Sequence, residues 1–453
     1  MVKLIGMLSR FNPVKVLVVG DFMLDTYTTG KIKRISPEAP VSVLHVQKEE
    51  SLPGGAGNVA LNVASLGAKV FAVGRVGFDN AGDDLREALM KEGVDVEGLV
   101  YQKGFKTPVK NRLIADSQQV LRVDFENISP LTDELEELMK LRIEEVMDKV
   151  QTVAISDYGK GLLSRTLLSF TIELARKKGL PIIVDPKGDD FSKYLGATII
   201  KPNLSEALAA AKLEPNASLD QVASSLLEKS QSEMILITRS EAGMSLFQNS
   251  GYSIDFPVRS KEVKDVTGAG DTVLAMISVA VANMLDVKYA AQLANIAAGL
   301  AIEKLGCARI NLSEMSERLL EYDIDNKIFD EEHLFALQQA LRGKRFVVLG
   351  LDSQKGMSTA IFKSIRKLAS RDKEMKLIIY VMDSSPDEEF VSLLSSLAEV
   401  DFIVLKCESL RNLCEIIHPH QVFIMENGDK LELLDHAKAL LSRVKDSAKA
   451  MRC

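Results

Sequence analysis

Val266-Thr267-Gly268-Ala269-Gly270-Asp271-Thr272-Val273 sets an aspartate behind three small residues at the start of a long apolar run. Small residues let the backbone N–H groups of a helix N-terminus close on an anion, and the helix dipole favours negative charge there. An aspartate beside such a nest can accept a hydroxyl proton while the nest steadies a transferring phosphoryl group. The same aspartate can instead only cap the helix that runs on through Leu274-Ala275-Met276, since Asp is a favoured cap. On this segment alone both readings stay open.

Outward from that helix the chain alternates strand and helix patterns. Val16-Leu17-Val18-Val19 before Gly20-Asp21 reads as a buried first strand with a polar turn at its C-terminal end, and Asp25 follows within a few residues. From Thr26 to Gln47, and on to about residue 50, the pattern is β-prone and broken by prolines, with Val41-Ser42-Val43-Leu44-His45-Val46 its clearest alternation. A lid of two or three strands is expected there. Asn58 to Leu66 and Ala81 to Lys91 read as helices, and 70–73, 152–155, 181–184, 198–200 and 234–237 as strands. Such alternation implies an α/β fold, a mostly parallel sheet with helices on both faces. Asp21, Asp25, Asp157, Asp185 and Asn203 each lie just past a strand end, where open α/β sheets bind ligands.

The chain has 453 residues, enough for two or three domains, and its 46% hydrophobic content supports substantial cores. The net charge of -7, with Lys and Arg scattered, argues against a nucleic-acid partner. Cys307, Cys407, Cys414 and Cys453 form no C-x-x-C pair, so a reducing compartment is expected in place of a disulfide or zinc framework. Met1-Val2-Lys3-Leu4-Ile5-Gly6 lacks the features of a signal peptide, and no apolar run is long enough to span a membrane. A cytoplasmic protein without membrane contact is the expectation. Residues 1–318 are read as one domain and the acidic stretch 319–344, with Glu321, Asp323, Asp325, Glu331 and Glu332, as a linker. Residues 345–453 then form a smaller α/β domain with strands at 346–349, 377–381, 402–405 and 422–425 and helices between and after them.

Gly55-Ala56-Gly57-Asn58-Val59-Ala60 fits G-x-G-x-x-A, which raises a dinucleotide-binding dehydrogenase. A Rossmann fingerprint should open directly from a buried strand, whereas Gln47-Lys48-Glu49-Glu50-Ser51-Leu52-Pro53 comes first here. A glycine turn bringing backbone and Asn58 to a polyhydroxylated substrate fits better, and a purely structural turn stays open. Lys201-Pro202-Asn203-Leu204-Ser205-Glu206 follows a strand and opens a helix. It can be a capping box, a carboxylate meeting Mg²⁺ through water, or both. Asp185-Pro186-Lys187-Gly188 and Ser156-Asp157-Tyr158-Gly159-Lys160-Gly161 read either as turns or as site loops. The five histidines, His45, His333, His418, His420 and His436, make no ligand set.

Together, in this order, these segments resemble the ribokinase-like carbohydrate kinase family over residues 14 to about 312. Its two signatures match Gly54 to Ala60 and Asp265 to Thr272. Gly20 to Asp25, Arg34-Ile35-Ser36-Pro37-Glu38-Ala39-Pro40-Val41 and Lys201 to Glu206 are similar to the subfamily of bacterial heptose 7-phosphate kinases and ADP-heptose synthases. The resemblance implies a three-layer sandwich with a β lid and transfer of the ATP γ-phosphoryl group, with Mg²⁺, to the anomeric hydroxyl of D-glycero-β-D-manno-heptose 7-phosphate. It implies Asp271 as base, with Gly268, Ala269 and Gly270 as anion hole. Asn203, Leu204, Ser205, Glu206, Thr238 and Asn295 would serve the nucleotide, with Asn203 and Glu206 also toward the metal. Asp25, Gly54, Gly55, Asn58, Lys160, Asp185 and Lys187 would hold the sugar phosphate. A homodimer through the lid is implied as well.

The C-terminal domain departs from the pattern. The nucleotidyltransferase of two-domain synthases opens with N-G-C-F-D and an H-x-G-H motif, where this chain has Leu349-Gly350-Leu351-Asp352-Ser353-Gln354-Lys355. The later K-G-G-D-Y is altered to Glu426-Asn427-Gly428-Asp429-Lys430. A degenerate domain, silent as an adenylyltransferase, is therefore expected. The alternatives are a kinase for another sugar or nucleoside, a bifunctional kinase and adenylyltransferase, or a non-enzymatic scaffold.

Overall fold

The computed structural model describes residues 4–8, 11–116, 118–258, 263–304, 306–322, 327–330, 334–372, 374–383, 385–405, 409–426 and 430–434. They divide into a large unit, Phe11–Asn311, and a small one, Met1–Arg10 with Leu312–Cys453.

The large unit is built on thirteen strands: β1 (Lys15–Gly20), β2 (Phe22–Ile35), β3 (Ser42–Gly55), β4 (Lys69–Gly77), β5 (Asp95–Gln102), β6 (Val109–Ala115), β7 (Gln118–Phe125), β8 (Thr152–Ser156), β9 (Ile182–Asp185), β10 (Ile199–Ile200), β11 (Met234–Thr238), β12 (Met244–Gln248) and β13 (Ser253–Phe256). Nine of them form one sheet in the order β13-β12-β11-β10-β9-β8-β1-β4-β5. It is parallel from β11 to β5, and β12 and β13 turn back antiparallel at one edge. Alternation sends Leu17, Val19, Val153, Ile155, Ile182 and Val184 to one face, where they share a core with Met139, Ile143, Leu168 and Ile172 of the helices Asp133–Met147 and Arg165–Lys177. The opposite face carries Ala269–Ala282, buried without a break from Asp271 through Ala280. A helix apolar all round is stable only between layers, and this one packs against Ala56–Ser65, Val287–Ile302 and β8.

The lid is larger than expected. It is a separate four-stranded sheet in the order β3-β2-β6-β7, so residues 109–125, read as no element, supply half of it. Neither β6 nor β7 shows the in-out alternation that marks a half-buried strand. The lid also changes the argument on Gly55 to Ala60. Gln47 to Pro53 do belong to a strand, β3, which runs straight into the helix Ala56–Ser65. That strand is exposed along most of its length and antiparallel to β2, unlike the buried parallel strand of a dinucleotide fold.

The small unit has a six-stranded sheet of β14 (Ile328–Phe329), β15 (Phe346–Leu351), β16 (Lys376–Val381), β17 (Phe402–Val404), β18 (Gln421–Glu426) and β19 (Lys430–Leu434), in the order β14-β17-β16-β15-β18-β19. All neighbours are parallel except β18 and β19. The unit boundary falls after Asn311, where 318 was expected. Much of the supposed linker is structure: β14 pairs with β17, and the helices Leu312–Tyr322 and Leu334–Leu341 bury Met315, Leu319, Leu334, Leu337 and Leu341. Those apolar residues recur at helical spacing beneath a polar surface. Asp323, Asp325, Glu331 and Glu332 lie outside the described residues, as do Asn427 to Asp429 and the helical pattern expected after β18. Among the described residues no helix is long and apolar enough to cross a membrane.

Candidate active site

Asp271 lies in the first turn of Ala269–Ala282 and is 3% exposed. Its Oδ2 accepts from Asn58 Nδ2 at 2.8 Å and its Oδ1 from the Tyr158 hydroxyl at 2.9 Å. Burial pushes its carboxyl up to about 7; the Asn58 and Tyr158 donors hold it down, Asp185 raises it further and Lys201 opposes. Asp271 does not cap its helix by a side-chain bond. The cap is Gly268 at φ 78°, a left-handed conformation open to glycine, and a Cβ there would sit 2.7 Å from Asn58 Nδ2. Glycine at 268 thus lets the loop and Asn58 meet at Asp271. Of the expected anion hole, the Ala269 N–H donates to the Val266 carbonyl at 3.3 Å. Among the described residues the N–H groups of Gly268, Gly270 and Asp271 have no such bond, which leaves them available as donors.

One cleft, about 250 Å³, opens beside this helix end, lined by Asp157, Tyr158, Asp185, Pro186, Lys187, Lys201, Asn203, Glu206, Thr238 and Gly270. Lys201 is 3% exposed, and its Nζ bonds Asp185 Oδ1 at 2.9 Å. That ammonium would lie 3.4 Å from a Cβ placed on Gly270, so it faces the helix N-terminus. Burial raises the Asp185 carboxyl, and the Lys201 charge and hydrogen bond oppose the rise. Lys187 pairs with Glu206 at 3.0 Å. Asn203 and Glu206 form a complete capping box on Leu204–Ala211, and Ser205 Oγ donates to Asn203 Oδ1 at 2.7 Å. Leu204 opens that helix, and Thr238 bridges to Asn203 backbone to backbone. The structural and site readings of Asn203 and Glu206 therefore coexist. With one Glu206 oxygen on Lys187 and the other on the Asn203 N–H, a metal would meet this carboxylate through water. Among the described residues no three His, Cys, Asp or Glu side chains gather into a metal cage.

The third part of the site is the lid root. Asp25 on β2 is buried, is paired with Arg112 of β6, and accepts from Cys307 Sγ at 3.5 Å. Burial and the nearby carboxylates push the Cys307 thiol up, so it stays protonated as that donor. A Cβ on Gly54 would overlap Asp25 Oδ2 at 2.0 Å, so glycine is required for β3 to pass this carboxylate. Gly55, at φ 56°, turns β3 into the helix that presents Asn58. Asp21, whose carboxyl burial raises, ties the floor together by accepting the N–H groups of Tyr158 and Lys160.

Several expected residues fall elsewhere. Asp185 and Lys187, expected on the sugar side, gather with Asn203 and Glu206. Lys160 is not on the cleft wall and pairs with Glu126 at 2.5 Å. Asn295 donates to the Pro257 carbonyl at 2.9 Å, next to residues 259–262, which lie outside the described set. Conversely Tyr158, Lys201 and Arg112 make site contacts that the sequence reading left without a role, whereas Asp157 stands among its strand-end candidates. Tyr158 and Lys201 each sat inside a quoted strand-end motif, so position could have found them. Arg112 had no signal without the lid strand that carries it.

The pfkB family carbohydrate kinase model matches residues 14–315. The chain is 41% identical over 343 residues to the bifunctional protein HldE of Trichlorobacter lovleyi, covering 75% of this chain and 70% of that one. It is 34% identical over 431 residues to the bifunctional protein HldE of Syntrophotalea carbinolica, covering 88% and 84%. Among solved structures, Arabidopsis thaliana ribokinase complexed with ribose and ATP superposes with a TM-score of 0.55 at 19% identity, over 68% of this chain and 99% of that one. Escherichia coli phosphofructokinase-2 in complex with substrates and products gives 0.56 at 18%, over 68% and 99%.

Proposed function

The chain belongs to the pfkB family of carbohydrate kinases, and from that premise we propose that it phosphorylates D-glycero-β-D-manno-heptose 7-phosphate at the anomeric hydroxyl. Phosphotransfer to a sugar hydroxyl follows from the family; the particular sugar rests on the likeness to the HldE proteins and on the heptose-kinase motifs of the sequence. The product would be the 1,7-bisphosphate used in ADP-heptose and lipopolysaccharide core synthesis.

The observation that carries the reading is the buried Asp271 held between Asn58 and Tyr158 at the mouth of a glycine-led helix. An anomeric hydroxyl bound against Asp25 and Asn58 would meet Asp271, which accepts its proton. The unbonded N–H groups of Gly268, Gly270 and Asp271 and the Lys201 ammonium then face the oxygens of the transferring group. ATP supplies that phosphoryl group, and Lys187, Asn203, Glu206 and Thr238 would hold its phosphate end with Mg²⁺. The proton arrives late in a loose transition state, so a carboxylate needs only to be ionised and in place.

The small unit is read as silent in adenylyl transfer. At the C-terminal end of β15 the Ser353 N–H donates to Asp383, and Ser353 Oγ accepts from the Asp387 N–H at 2.9 Å. An internal carboxylate thus sits where nucleotide phosphates would need donors. His418 and His420 lie at the other end of the sheet, just before β18, with His420 against Phe346.

Phosphorus NMR with heptose 7-phosphate, ATP and Mg²⁺ tests the whole reading. A new anomeric phosphate with ADP, absent in Asp271→Asn and without pyrophosphate or ADP-heptose, is expected. ADP-heptose would overturn the silent domain, and no turnover would send the search to other sugars.

A further inference from the structure

Arg75 stands near the C-terminal end of β4 and is 3% exposed. Among the described residues its guanidinium donates only to neutral oxygens. Nη1 reaches Gln102 Oε1, at the end of β5, at 2.7 Å and the Pro130 carbonyl at 3.4 Å. Nη2 reaches the Ser129 carbonyl at 2.5 Å and the Lys160 carbonyl at 2.6 Å. The central carbon lies 4.1 Å from the centre of the Phe105 ring, and Nε is buried without a partner. Burial pulls the group down to about 10 and the Asp21 charge opposes, so it stays charged at neutral pH. A buried cation with no ion pair and one unmet donor is a poor source of stability. What it does provide is a junction. Ser129 and Pro130 belong to the segment that leaves the lid after β7, and Lys160 to the loop after β8.

That loop carries Tyr158. Gly159 and Gly161 take φ of 67° and 91°, and the N–H groups of residues 158–160 go to side-chain carboxylates and not to a backbone ladder. Asp21 Oδ2 accepts the N–H groups of Tyr158 and Lys160 at 2.9 and 3.0 Å, while Arg75 takes the Lys160 carbonyl. The main chain of residue 160 is therefore gripped at both its polar groups by buried charges of opposite sign. Glu126, also after β7, pairs with Lys160 Nζ, and a Cβ on Gly161 would lie 2.4 Å from the Ser129 carbonyl oxygen. Two residues before this grip, the Tyr158 hydroxyl reaches Asp271 Oδ1 at 2.9 Å.

We infer that Arg75 is a positioning residue for phosphoryl transfer: by clamping residue 160 between Asp21 and the segment that leaves the lid, it holds the Tyr158 hydroxyl on Asp271. A donor in that place favours the ionised carboxylate. The other groups that face Asp271 are Asn58, Asp185, Lys201 and Cys307, and Asp25 faces Tyr158. Arg75 makes a hydrogen bond to none of them among the described residues, so its route to the base runs through Tyr158. The inference rests on the reading of Asp271 as the base of a kinase, but not on which sugar is bound.

The test follows the Asp271 carboxyl by ¹³C NMR titration of the full chain, its resonance assigned by its loss in Asp271→Asn, beside the pH profile of kcat/KM with heptose 7-phosphate, ATP and Mg²⁺. In Arg75→Met both the titration and the acidic limb should move up by about half to one pH unit, no further than in Tyr158→Phe. In the double variant they should stay where Tyr158→Phe alone puts them. Shifts that add in the double variant would mean that Arg75 acts by its charge, and a uniform loss of activity with the titration unmoved would mean that it only packs; either overturns the proposal. Gln102→Ala removes only an acceptor that orients the guanidinium and should give a smaller shift in the same direction. If Arg75→Met does not fold, an unmoved titration in Gln102→Ala overturns the proposal instead. A wild-type chain that turns over no sugar defeats the kinase reading, while the titration still decides whether Arg75 sets Tyr158.

Discussion

Asp271 is costly at rest, because a buried carboxylate is disfavoured as soon as it ionises. Its folded pKa, about 7, lies above the ordinary 3.8, so its contribution favours folding below pH 4 and is lost as pH rises through about 7. Asp271→Asn should therefore melt higher than the wild-type chain at pH 8 and similarly at pH 4, a comparison read by scanning fluorimetry. The same change should lower kcat on the order of 10² to 10⁴ if proton acceptance is its main role. Tyr158→Phe deletes a donor that favours the ionised base. The acidic limb of its kcat/KM profile should move up by about one pH unit, with activity recovering on the alkaline side. A uniform loss at all pH values would mean that Tyr158 only packs.

Two elements meet on the side proposed for the sugar, the end of β3 and the helix Ala56–Ser65, and Gly54 is where they have least room. Gly54→Ala places a methyl inside the Asp25 carboxylate. It should raise KM for the sugar at least tenfold while KM for ATP changes little, and overpacking should cost about 1–3 kcal/mol of stability. Equal effects on both substrates would argue against an Asp25 role confined to the sugar. The parallel sheet was legible because β1, β4, β8, β9 and β11 are short apolar runs ending in polar turns. The helix start at Asp271 was legible from the small residues before it, but the choice between a cap and a site was not, and the structure gives the cap to Gly268. Lid strands β6 and β7 were not: they mix apolar and polar side chains with neither a continuous apolar run nor an in-out burial pattern, and the pairing of β6 with β2 is long-range. Arg112 was hidden with them. The helix Leu334–Leu341 was masked by the acidic residues before it.

For the whole molecule, the lid leaves Ile35, Val41, Val46, Val120, Leu121 and Phe125 exposed, and a second copy of the chain would cover them as the homodimer reading requires. Ile35→Glu with Val46→Glu should convert a dimer into a monomer in analytical ultracentrifugation. A dimer that survives both changes would have to pair elsewhere. The geometry of that lid has a mechanical side. Only Asp21 separates β1 from β2, and nothing separates β3 from its helix, so the long hairpin is anchored at two points on the core. At about 3.3 Å per residue a 14-residue strand is an arm of roughly 45 Å, so a 5° swing at its root carries the tip about 4 Å. Asp25, four residues from the anchor, would travel only about 1 Å in the same swing. In such a swing the hairpin would work as a reduction gear, moving Asp25 in finer steps than its tips.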